Sequence, residues 1–104
     1  MHWMNYIDIK KEMAIKLIAD SGSTKTEWCL LNGNKRSSVS TQGISPYFLN
    51  GTQVEDILRK ELLPGLKKKE PAEIYYYGTG CSNPANVKMI RSAIGKVFPG
   101  SKIK

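Results

Sequence analysis

The sequence predicts an α/β domain, and three observations predict it. Alternating apolar residues appear near the start, two later stretches carry apolar residues at helical spacing, and a short β-rich run lies between them. A chain of 104 residues is enough for one small domain.

The elements follow in order. Ile15 to Ala19 alternates, with Ile15, Leu17 and Ala19 on one side of a pleated strand and Lys16 and Ile18 on the other. Asp20 then emerges at the carboxyl end of that strand. The segment DSGSTKT, Asp20 to Thr26, is a tight turn of small residues leading into a second strand, Glu27 to Leu31. Asn32-Gly33-Asn34 is a strong hairpin signal, so Lys35 to Thr41 returns as a third antiparallel strand, polar enough to be an edge. Gly43 to Tyr47 is a loop.

Thr52 with Glu55 forms a capping box, and Val54, Ile57, Leu58 and Leu62 make the buried stripe of a helix that ends at Pro64-Gly65. Ile74 to Tyr77 is a short strand ending in Gly78, placed parallel to the first by the helical crossover. Ser82 or Asn83 caps a second helix, Pro84 suits its first turn, and Val87, Ile90, Ile94, Val97 and Phe98 recur until Pro99-Gly100. Ser101 to Lys104 begins another strand. The order is βββαβα with a truncated last strand, which is most of one ribonuclease-H-like domain.

The Asp20–Thr26 turn has the chemistry of a phosphate-binding hairpin. Gly22 can take positive φ, and the small side chains of Ser21 and Ser23 leave backbone N–H groups free to line a concavity for phosphate oxygens. Thr24 and Thr26 add hydroxyl donors, and Lys25 a compact positive charge. A bare carboxylate repels phosphate, so Asp20 becomes useful when a divalent cation or its water shell lies between them. The alternative is an ordinary hairpin whose turn is polar because turns usually are.

With these residues in place, the chain resembles the sugar kinase, Hsp70 and actin superfamily, and more closely the BadF/BadG-type ATPase and N-acetylglucosamine kinase family. The resemblance rests on IADSGSTKTEW as a first phosphate loop, followed by GISPYF and YYYGTGCSNP at similar order and spacing, and it runs from about Met13 to Lys104. It implies an actin-like ATPase lobe that binds ATP through Asp20, Gly22, Ser23, Thr24, Lys25 and Thr26. Magnesium would be held at Asp20 through water, and an amino sugar would lie near Ser45, Gly78, Thr79 and Gly80. Relatives often carry Asn where this chain has Ser45, a shorter side chain without the paired geometry of an amide.

The resemblance also implies an incomplete machine. Members of the family clasp nucleotide and sugar between two lobes, and 104 residues hold less than half of such an enzyme. The catalytic Asp, the second phosphate loop and the adenosine-binding segment have no counterpart here, so the expectation is an N-terminal fragment of an amino-sugar kinase, inactive alone. Residues 1–12 read as an extension before family-like sequence begins at Met13, and as a misassigned start or an amphipathic arm with Trp3, Tyr6 and Ile7. A half-domain working with a complementing chain, or self-associating through an open sheet edge, is the second reading.

Other chemistries find less support. Gly78-Thr79-Gly80 fails the GxGxxG fingerprint because the sixth position is Asn83, and no GxxxxGK[ST] pattern occurs. Cys29 and Cys81 lack metal-like spacing, and His2 is the only histidine. Without a secretory or transmembrane run, the cysteine usage suggests a reducing cytoplasm. A net charge of +7 admits a small nucleic-acid-binding module as a third reading, but the basic residues are dispersed. Lys67-Lys68-Lys69 suits the end of a helix, and no RNA-binding aromatic signature appears.

Overall fold

Leu17 and Ala19 are fully buried while Lys16, Ile18 and Asp20 turn the other way, so β1 (Lys16–Ser21) has the two-sided character its alternation predicts. The computed structural model describes residues 15–67, 69–78, 80 and 82–104. The expectations for residues 1–12, with His2, and for Thr79 and Cys81 lie outside the described residues.

β1 extends two residues beyond its predicted end at Ala19, so Asp20 and Ser21 are strand residues. β2 (Lys25–Asn32) likewise starts earlier than Glu27, and β3 (Lys35–Gln42) returns antiparallel to it, with Asn32 opposite Lys35. β4 (Glu73–Gly78) lies parallel to β1, from Lys16 opposite Glu73 to Ser21 opposite Gly78. β5 (Lys102–Ile103) pairs parallel with β4, completing a five-stranded mixed sheet in the order β3-β2-β1-β4-β5.

Helices cover the face that carries Leu17, Ala19, Trp28, Leu30 and Ile74. α1 (Gly51–Ile57) contributes Val54 and Ile57, a π-helical segment (Leu58–Leu62) contributes Leu58 and Leu62, and α2 (Leu63–Leu66) contributes Leu66. α3 (Pro84–Val97) adds Ile90, Ala93 and Ile94 to the same cluster. The opposite face carries half-buried Ile18, Cys29, Leu31 and Tyr75 among charged neighbours. Among the described residues no helix is long and apolar enough to cross a membrane.

Two helix boundaries correct the expectation. The capping box is Asn50 with Gln53, not Thr52 with Glu55: Asn50 Oδ1 accepts from Gln53 N at 2.9 Å, and Asn50 N donates to Gln53 Oε1 at 2.8 Å. The turn before it, with Leu49 N donating to Ser45 O, starts the helix earlier. Glu55 instead approaches Arg59 and Lys96, each at 3.9 Å.

The helical path also passes through Pro64-Gly65 and stops only at Lys67, whose φ of 52° is left-handed. Pro64 has no N–H to give, and the wide turn ahead of it, closed by Leu63 N donating to Leu58 O, accommodates it at the start of α2. Asn83 caps α3 through Ala85 N and Asn86 N, with Pro84 in its first turn.

Candidate functional site

Ser21 faces Thr26 across the β1–β2 ladder, leaving Gly22, Ser23 and Thr24 as a short link. Gly22 N donates to Lys25 O at 2.9 Å and closes the turn. The expectation that Gly22 takes a positive φ is therefore corrected: among the described glycines only Gly33 and Gly80 do, and the turn consumes the Gly22 amide. The amides of Ser23 and Thr24 donate to no backbone carbonyl among the described residues, and both residues are exposed.

Thr26 turns inward. It is fully buried, with Oγ1 at 2.7 Å from Ser21 Oγ, so its hydroxyl braces the root of the hairpin. Ser21 Oγ also lies 3.4 Å from the nitrogen and the oxygen of Ile44, tying that root to the loop after β3. Gly43 completes the tie, donating to Thr24 O at 3.1 Å. A Cβ on Gly43 would sit 2.3 Å from Ser23 O, so the approach admits only glycine without movement.

On the outer face Asp20 is exposed and directly opposite Glu27. Two carboxylates at opposed positions repel. Glu27 accepts from Ser40 Oγ at 2.8 Å and pairs with Lys25 Nζ at 3.2 Å, and these contacts hold its carboxyl below the ordinary glutamate range. Asp20 has neither a hydrogen bond nor an ion pair from any described side chain.

Among the described residues no group of three potential ligands is assembled for a metal. One or two carboxylates suffice for magnesium, which keeps several waters and shares its remaining positions with phosphate oxygens. Asp20, open to solvent beside Glu27 and the hairpin amides, fits that donor set.

Of the other predicted site residues, Ser45, Gly78 and Gly80 lie toward this end of the sheet. Gly78 ends β4 opposite Ser21, and Tyr77, which is 63% exposed, stands opposite Asp20. Gly80 has φ of 81°, and a Cβ there would meet Pro46 Cγ at 2.9 Å and Tyr47 Cε2 at 3.1 Å. Asn86 Nδ2 donates to Gly80 O at 3.2 Å and steadies the same turn. Ser45 is buried, and its carbonyl accepts from Phe48 N at 3.1 Å and Leu49 N at 2.9 Å. Tyr47 and Phe48 are the large apolar residues of that loop that face solvent.

Sequence reasoning placed Ser21 in the turn but missed its side-chain brace to Thr26, and it missed Glu27 and Gly43 as residues of the site. Glu27 was within reach, because a hairpin with Ser21 opposite Thr26 necessarily sets Asp20 opposite Glu27. Nothing local marks Gly43, whose constraint comes from a turn twenty residues earlier. No protein-family model matches the chain, and no curated protein matches it.

Proposed function

We propose that the chain carries the first phosphate-binding hairpin of an ATP-dependent amino-sugar kinase, on a ribonuclease-H-like lobe that does not complete phosphoryl transfer by itself. The observation that carries this reading is the exposed Asp20 carboxylate, engaged by no described side chain, on the strand that leads into a turn where the amides of Ser23 and Thr24 donate to no backbone carbonyl among the described residues. The strand order β3-β2-β1-β4-β5, with its antiparallel first half and parallel second half, supports the lobe assignment.

In this reading the Ser23 and Thr24 amides and the Thr24 hydroxyl donate to phosphate oxygens, and Lys25 adds positive charge while balancing Glu27. Asp20 orients the water shell of magnesium, which when bound offsets the negative charge of the phosphates. Ser21 and Thr26 hold the hairpin to the Gly43–Asn50 loop and touch no ligand. Gly78, Thr79, Gly80 and the loop containing Ser45 form the sugar side. The buried Ser45 shapes its loop, so any contact with an amino sugar falls to neighbouring groups.

Phosphoryl transfer needs several charged and positioning groups acting together, which one hairpin does not supply. Binding is therefore the activity to test. Calorimetric titration with Mg-ATP should give saturable binding, weakened about tenfold by Asp20→Ala or Thr24→Val, the weight of one hydrogen bond to a charged partner. Both side chains are exposed, so neither change disturbs the core. Equal affinity in all three proteins would overturn the assignment.

A further inference from the structure

A cavity of about 210 Å³ opens between β4, α3 and β5, away from the hairpin. Its walls are Tyr76, Val87, Ile90, Ile94 and Ile103, of which Ile90 and Ile94 are almost completely buried. Arg91 and Lys104 stand at its rim. Arg91 lies one turn beyond Val87 and just short of Ile94 on α3, so its guanidinium borders the apolar stripe.

The ionisable side chains at this rim are cationic. Among the described residues Arg91 enters no ion pair, and no aspartate or glutamate is among the residues that line the cavity. Lys104 Nζ approaches Glu73 at 3.8 Å, a long contact that leaves donors for a second partner.

We propose that this cavity binds a small apolar carboxylate, with a ring or branched chain against the isoleucines and its carboxylate on Arg91, assisted by Lys104. Size and polarity select that class. An apolar cavity of about 150 Å³ takes up benzene, so the present one accommodates a six-membered ring and a short link to a charged group. Sugar hydroxyls would be stripped of water against the aliphatic walls of Val87, Ile90, Ile94 and Ile103, which offer no hydrogen-bond partners, and this disfavours a polyhydroxylated ligand. The planar guanidinium fork matches a carboxylate through two parallel hydrogen bonds.

The test is a titration of the full chain with phenylacetate, followed by amide ¹⁵N–¹H correlation spectra. Saturable shifts are expected at Val87, Arg91, Ile94 and Ile103, with roughly millimolar affinity, as befits a ligand of about ten non-hydrogen atoms. Neutral phenylacetamide should bind about tenfold more weakly, and Arg91→Gln should weaken phenylacetate by a similar factor. Val87→Phe, which fills the cavity from a half-buried position, should abolish the shifts. Equal binding of acid and amide, indifference to Arg91→Gln, or shifts confined to the hairpin would each overturn the proposal. Should Val87→Phe fail to fold, the amide comparison and Arg91→Gln, at an exposed position, still decide it.

Discussion

Replacing Gly43 by alanine should destabilise the domain by about 2–4 kcal/mol, more than any comparable change within the hairpin that it supports. The added Cβ would lie 2.3 Å from Ser23 O, 2.4 Å from Ser23 C and 2.6 Å from Gly22 O. All three are backbone atoms of a short turn, so no side-chain rotation relieves the overlap. Restoring ordinary carbon contact requires the turn and the end of β3 to separate by roughly 1 Å. Overpacking of that kind costs about 1–3 kcal/mol. The same displacement stretches the Gly43 N to Thr24 O bond of 3.1 Å, and losing it adds about 1 kcal/mol.

Urea unfolding followed by circular dichroism measures the sum, provided the slope is unchanged. Gly22→Ala is the control. A Cβ on Gly22 would meet Lys25 O at an ordinary 3.5 Å, and its φ is not positive, so the change should stay within about 0.5 kcal/mol. A Gly43→Ala protein as stable as its parent, or a Gly22→Ala protein that loses more, would refute the reasoning.

Asn50→Ala removes the cap of α1 and should cost about 1 kcal/mol by the same assay, whereas Thr52→Ala should be close to neutral. Glu27 should titrate below the ordinary value of 4.5, because Ser40 and then Lys25 favour its charged form. Folding therefore gains from these contacts above the unfolded pKa, and the gain disappears as pH falls through the lowered folded value. A carboxyl ¹³C titration should place the midpoint closer to the ordinary value in Ser40→Ala; an unmoved midpoint would remove the Ser40 contact from the account.

The sequence by itself determined the order of elements, the parallel crossover from β1 to β4 and the buried faces of β1 and of the helices. Leu17, Ala19, Val54, Ile57, Leu58, Leu62, Ile90 and Ile94 all reach the core as their spacing predicts. These features arise from period, turn chemistry and caps, which are properties of a few adjacent residues. Where two local signals competed, the pattern was insufficient. Asn50 with Gln53 and Thr52 with Glu55 both have capping-box spacing, and only the preceding turn, together with the Lys96 and Arg59 contacts of Glu55, separates them.

Tertiary structure decided which hairpin groups face outward. Thr24 and Thr26 look alike in sequence, yet the pleat sends Thr26 inward to Ser21 and leaves Thr24 outside. It also moved the steric demand from Gly22 to Gly43 and turned Ser45 into a buried support. The demand at Gly43 depends on two segments about twenty residues apart in the chain meeting at van der Waals distance. Local composition does not encode a clearance between segments, because both surfaces exist only after the sheet has formed.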